Sequence, residues 1–227
     1  MRPLATALCL ALASSVLGPT ASAQETIDLG VIKDDDIRVV QKLLYPKANR
    51  TELGLHVGVM PFDAYVTNAT GQVSFNQHFN ERLSLSVIGG GGYGFKTSVY
   101  KKLESPAYGV APYAYRYLAS VLAGIEWAPL YAKMSFNGRK VIHYDVYLAA
   151  RAGVTFEQSV IDGGGSALGP TVSPGIGSRM FLSRRLALRA EFRDDLMLQR
   201  RQLTDTTAFK QNANLTLGMT LLSGGGE

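Results

Sequence analysis

Past residue 50 the apolar side chains recur at every second position, the spacing of a strand whose two faces meet different surroundings. Leu53, Leu55, Val57 and Val59 alternate with Glu52, Gly54, His56 and Gly58. The same beat returns in Val73, Phe75 and Phe79, then in Leu83, Leu85, Val87, Tyr93 and Phe95. A fourth segment sets Tyr117, Val121, Ile125 and Trp127 against Ser120, Gly124 and Glu126. A fifth sets Tyr144, Val146, Leu148, Val154 and Phe156 against Asp145, Arg151 and Thr155. Val172, Ile176, Met180 and Leu182 then oppose Gly175, Gly177 and Arg179, and Leu186, Leu188 and Phe192 oppose Arg189, Glu191 and Arg193. Leu215, Leu217, Met219 and Leu221 close the series against Asn214, Thr216 and Gly218. The pattern predicts eight strands.

A soluble sandwich also alternates, so the connections must decide. Asn80-Glu81-Arg82 and Ser183-Arg184-Arg185 are tight turns, whereas residues 61–70, 97–116, 157–170 and 195–210 read as long polar loops. Short turns at one end and long loops at the other is the arrangement of outer-membrane barrels. Residues 128–143 stand out, as a long connection where a short one is expected.

The start of the chain is an address. Arg2, an apolar stretch over residues 4–17, Gly18-Pro19 and Ala21-Ser22-Ala23 form a secretory signal peptide over residues 1–23, its core too short to cross a bilayer. Cys9, the one cysteine among 227 residues, lies inside it, so the exported product has neither disulfide nor cysteine metal site. The net charge of +5 is spread without the basic run that nucleic-acid binding needs. An exported chain with no apolar stretch of helix-spanning length can cross a membrane only as a closed barrel. Residues 51–222 allow roughly 21 residues per strand and connection, of which about 9–11 would span the bilayer.

The expectation is therefore an all-β protein: an eight-stranded antiparallel transmembrane β-barrel over residues 50–222. Residues 24–49 form a periplasmic extension and 223–227 a flexible tail. In the extension, Asp34-Asp35-Asp36 caps a short helix with Ile37, Val40, Gln41 and Leu44 on one stripe, or the segment is a plain lead-in. Charge fixes the register. A one-residue slip of the seventh strand would turn Arg189, Glu191 and Arg193 to lipid. Each Arg near the midplane costs about 2–4 kcal/mol there, against a net stability of about 5–15 kcal/mol for a domain.

Taken whole, the chain resembles a family of small outer membrane beta-barrel proteins from myxobacteria and related delta-proteobacteria, of OmpA/OmpX-like eight-stranded form. The resemblance rests on residues 37–45 (Ile37-Arg38-Val39-Val40-Gln41-Lys42-Leu43-Leu44-Tyr45) leading through Arg50-Thr51-Glu52-Leu53 into the first strand. It rests also on Phe79-Asn80-Glu81-Arg82-Leu83, on Glu126-Trp127-Ala128-Pro129-Leu130-Tyr131 and on Leu182-Ser183-Arg184-Arg185-Leu186. It implies the barrel and an outer-membrane location, and likeness to components of envelope-spanning gliding-motility machinery. No catalytic residues come with it. One departure stands out: such barrels usually end in an aromatic residue read by the barrel-insertion machinery, whereas here Leu221-Leu222 runs into Ser223-Gly224-Gly225-Gly226-Glu227.

The predicted interior face collects Glu52, Glu126, Asp145, Arg151, Arg179, Arg189, Glu191 and Arg193. Paired, they would plug a narrow lumen, because buried charges persist only when paired; the other reading is a small ion or solute pore whose selectivity they set. Tyr93, Phe95, Tyr117, Trp127 and Tyr144 are assigned to interfacial girdles. Tyr108, Tyr113, Tyr115 and Tyr117 offer aromatic anchors for envelope partners.

A lipid-modifying rim enzyme would need a Ser–His pair. Ser74 and His78 share a strand face but lie about 13 Å apart, beyond hydrogen-bond reach; the other histidines are His56, inside the first strand, and His143, before the fifth. The glycine run before Lys96 is a near miss to a phosphate loop, since no helix pattern follows it. The expected function is a non-enzymatic structural or partner-binding barrel, with neither cofactor nor metal, in contact with outer-membrane lipid. A soluble lipocalin-like barrel, apolar face inward, is the remaining rival.

Overall fold

The computed structural model describes residues 44–136, 140–161, 163–201 and 206–223. The leader, residues 24–43 of the extension with their candidate helix, and the tail beyond Ser223 lie outside the described residues. Eight strands follow one another: β1 (Thr51–Met60), β2 (Val66–His78), β3 (Leu83–Lys96), β4 (Tyr115–Phe136), β5 (Lys140–Ser159), β6 (Ser166–Phe181), β7 (Leu186–Arg201) and β8 (Thr206–Ser223). Each pairs antiparallel with its sequence neighbours, and β8 returns to β1, with Leu55 opposite Met219, so the sheet closes on itself. Closure leaves no sheet edge along the paired length.

Sequence sets the tight turns. Asn80 Oδ1 accepts from the backbone N–H of Arg82 (2.8 Å) and of Leu83 (2.7 Å), and Ser183 Oγ accepts from that of Leu186 (3.0 Å). Short polar side chains bonding their own backbone are what such turns select.

The strands are longer than alternation suggested. The expected loops 61–70, 157–170 and 195–210 are half strand or more, since β2 begins at Val66, β5 runs to Ser159, β6 begins at Ser166, and β7 and β8 reach Arg201 and Thr206. The Asp194-Asp195 pair hid the continuation of β7 by putting charge on both faces. In the anomalous connection 128–143, residues 128–136 and 140–143 are strand: β4 and β5 stay paired with each other past the reach of β3 and β6 and overhang the turn end. The contrast between the two ends is thereby sharpened. At the loop end, the longest connection carries a short helix, α1 (Ser98–Glu104), where only loop was expected. Thr97 caps it, accepting from the Tyr100 N–H, and Tyr100 is buried against Val66 and Ala114.

The barrel is inside out relative to a soluble one. Leu55 and Val57 are 70% and 69% exposed, and Val121, Ile125, Val172, Leu217 and Leu221 are all more than half exposed. The polar residues between them are buried.

Candidate functional site

All eight charged residues assigned to the interior lie there, each 6% exposed or less. They form a stack of ion pairs. Near the turn end, Glu52 on β1 accepts from His78 Nε2 on β2 (2.8 Å) and from Arg179 Nε on β6 (3.2 Å). Arg179 also donates to Asp145 on β5 (3.1 Å) and Glu126 on β4 (3.2 Å). One layer further in, Arg151 donates to Glu191 (2.7 Å), Glu126 (2.7 Å) and Ser86 Oγ (3.0 Å). Arg189 donates to Glu126, to Glu191 (2.9 Å) and to the Tyr147 hydroxyl (2.6 Å), which itself donates to Glu191 (2.8 Å). The Arg179 and Arg189 guanidinium groups lie 5.3 and 4.4 Å from the Tyr147 ring. Higher still, Arg193 meets Gln72 (3.0 Å) and Asp195 (3.3 Å).

Sequence reasoning missed several members. Tyr147 shares the parity of Asp145 and Arg151 and was within reach of the alternation argument. Glu157, which accepts from Gln199 (2.7 Å) and Lys210 (2.9 Å), and Asp195 fell in segments taken for loop. Lys47 carried no signal. It precedes β1, yet its ammonium is buried and bonded to Asp145. Burial holds this ammonium below the usual lysine range, Arg179 adds to the effect and Asp145 opposes it. The segment is held by the Glu81 carboxylate, which accepts the N–H groups of Lys47 and Ala48. Arg50 donates to the carbonyls of Pro46 (3.1 Å), Arg184 (2.9 Å) and Leu222 (3.2 Å). Tyr45 stacks on Phe181 at 5.4 Å. Among the described residues, and with Lys47 counted, six lumen cations (Lys47, Arg151, Arg179, Arg189, Arg193, Lys210) pair with six carboxylates (Glu52, Glu126, Asp145, Glu157, Glu191, Asp195).

A second relationship was invisible in sequence. His56 Nε2 and Ser74 Oγ are 2.7 Å apart, joined across the β1–β2 ladder rather than along one strand. The pair has a nucleophile's components but not its access: Ser74 is fully buried, and the void beside His56, bounded by Gln72, Arg189, Glu191 and Thr216, is too narrow for a water molecule. Ser74 and His78, too far apart along one strand to pair, have separate partners, and His78 is taken by Glu52.

Among the aromatic residues assigned to girdles, Tyr93, Phe95 and Trp127 are exposed on the outer surface, and Tyr144 is half-buried there. Tyr117 is a correction. It is 1% exposed and points inward, its hydroxyl 2.6 Å from Ser120 Oγ. The cause is a bulge between Tyr117 and Ala119, where β4 carries one more residue than β5, which inverts the in–out parity. The loop anchors shrink likewise: Tyr115 is buried and hydroxyl-bonded to Tyr113, which leaves Tyr108 outermost, at 58% exposed.

A closed antiparallel barrel of eight strands, greasy outside and ion-paired within, is the class these observations define. No protein-family model matches the chain, and no curated protein sequence does. Among solved structures the chain is similar to the Neisserial surface protein A, NspA, with 11% identity, 76% of this chain and 94% of that one covered, and a TM-score of 0.44. It is similar to Ail, the attachment invasion locus protein of Yersinia pestis, with 14% identity, coverage of 77% and 97%, and a TM-score of 0.41. The N-terminal beta-barrel domain of Pseudomonas aeruginosa OprF gives 11%, 78% and 98%, and 0.43. The architecture itself rests on the strand pairing.

Proposed function

We propose that the protein is an integral outer-membrane barrel whose lumen is sealed, acting as a structural or partner-binding component of the cell envelope rather than as an enzyme. The observation that carries this is the outward apolar band on a sheet without edges. In water that surface would be a large exposed hydrophobic patch; in a bilayer it is the required lining, and the closed sheet presents no open edge to it. A lipocalin-like reading needs the opposite orientation of Leu55, Leu148 and Leu217. The ion-paired interior supports a plug over a pore, because a barrel of eight strands encloses only enough space for side chains.

Two finer statements belong to the same proposal. The leader directs export with cleavage after Ala23, and membership of an envelope-spanning assembly, of the gliding type that the myxobacterial family resemblance implies, gives the loops their partners. Cysteine probes at Leu55, Leu148 and Leu217 test the core of the reading. Quenching by lipid-borne rather than aqueous quenchers is expected, as is carbonate-resistant pelleting and a heat-dependent gel shift. Water exposure at all three positions overturns it. Affinity capture from detergent-solubilised envelopes tests the assembly role, and recovery of no stable partner removes it.

A further inference from the structure

The overhanging β4–β5 hairpin walls a groove on the outer surface of the barrel. β3 leaves β4 at Trp127, whereas β4 and β5 stay paired as far as Phe136 and Lys140. The outward apolar series continues along them through the exposed Leu130 and Met134 and the half-buried Tyr144. On β6 and β7 the outward rungs alternate in size: Ile176 faces Phe192, Ser178 faces Ala190, and Met180 faces Leu188. The short Ser178–Ala190 rung leaves a concavity of about 290 Å³, and Met134, Ile142 and Tyr144 close its side. Apart from the Ser178 and Tyr144 hydroxyls, its lining side chains are apolar.

The foot of the groove is cationic. Past Met180 and Leu188 the chain turns through Ser183-Arg184-Arg185, and Arg185 is about 10 Å along the strand from Leu188. Both arginines are exposed, and neither has an ion-pair partner among the described residues. The tight turn between β2 and β3 is different. It carries one exposed arginine, Arg82, below outward rungs of large residues, with Phe75 facing Val87 and Gln77 facing Leu85.

We propose that the groove holds one acyl chain of an anionic phospholipid of the periplasmic leaflet, with its phosphate at Arg184 and Arg185, an inference that rests on the membrane reading above. Short turns mark the periplasmic end of such barrels, so the groove is continuous with the lipid-facing band and opens at headgroup level. Bulk lipid meets the convex wall on one side only. A chain in the groove meets side chains on three, and dispersion gains sum over those contacts. Guanidinium groups give phosphate oxygens charge-assisted hydrogen bonds, and each basic residue at an anionic membrane surface favours binding about fivefold. The hairpin overhang supplies the wall that an evenly trimmed barrel would lack.

Native mass spectrometry of the detergent-released protein tests this, after reconstitution into an equimolar mixture of phosphatidylglycerol and phosphatidylcholine with matched chains. One retained phosphatidylglycerol per chain is expected, preferred over phosphatidylcholine by about 25-fold for two arginines. Arg184→Gln or Arg185→Gln should lower that preference about fivefold, and Arg82→Gln should leave it unchanged. Ala190→Phe fills the groove from the lipid side and should remove most of the adduct of either lipid. Equal retention of the two lipids, an adduct untouched by Ala190→Phe, or a loss in Arg82→Gln as large as in Arg184→Gln overturns the proposal. Carbonate washing of envelopes separates the two claims: a chain that stays in the pellet yet retains no lipid sinks the groove alone, and a chain released to the supernatant sinks both.

Discussion

Lys47, which lies outside every strand, places its ammonium on Asp145 of β5, and Arg179 reaches the same carboxylate from β6 at 3.1 Å. Asp145 thus stands between one cation built into the barrel and one delivered by the segment beneath it. Lys47→Ala leaves Asp145 half compensated and should lower unfolding stability by about 1–3 kcal/mol, less than the loss of a sole partner in a buried pair. Urea unfolding in detergent micelles measures this. The double variant Lys47→Ala/Asp145→Asn should recover part of the loss; strictly additive losses would mean that the two groups are not coupled.

Glu126 accepts from Arg151, Arg179 and Arg189 together. Glu126→Gln takes one carboxylate from each of three guanidinium groups, which keep Glu191, Glu52 and Asp145, and leaves the lumen one cation in excess; a loss of about 3–5 kcal/mol is expected. Leu217→Arg on the outer face attacks a different term. It should cost about 2–4 kcal/mol in vesicles and far less in water-rich short-chain detergent. Comparable losses in both media would argue against lipid contact at Leu217.

Glycine at position 177 exists for the tyrosine across the ladder, since a β-carbon there would overlap the Tyr147 hydroxyl. Gly177→Ala pushes Tyr147 off Glu191 and Arg189 and should destabilise by about 1–3 kcal/mol, the usual cost of overpacking. At Gly89 a β-carbon meets nothing, so Gly89→Ala should be neutral or stabilising by a few tenths of a kcal/mol. Thermal unfolding of the two variants side by side distinguishes site-specific crowding from a general intolerance of glycine replacement.

The buried His56–Ser74 pair makes a chemical prediction. Ser74→Ala should cost about 0.5–1.5 kcal/mol of stability, as one lost hydrogen bond does, and leave the phospholipid and lipid A species of the membrane unchanged by mass spectrometry. A lipid species that appears or vanishes in Ser74→Ala and His56→Ala alike would give the pair a catalytic role.

The number and order of strands and the inward charges of β5, β6 and β7 were legible because lipid contact and lumen contact impose opposite demands on adjacent residues. What escaped has specific causes. A single extra residue at Leu118 inverts parity, so Tyr117 could not be placed by counting. Strand beyond the bilayer is under no such demand, which is why residues 128–136 read as loop. Pairs made across strands depend on register: Ser74 and His56 are 18 positions apart and become neighbours only once Leu55 is set against Val73. Lys47 belongs to no periodic element.

The distribution of the lumen charges has a consequence for biogenesis. Glu52 stands on β1 and its partner Arg179 on β6, while Glu126 on β4 collects guanidinium groups from β5, β6 and β7. Apart from β2–β3, which carries no lumen carboxylate or guanidinium, no hairpin entering the bilayer alone would be electrically complete. The strands must therefore gather into a nearly finished cylinder before any of them settles among acyl chains, and the final zipping of the last strand to the first seals both the wall and the account of charge.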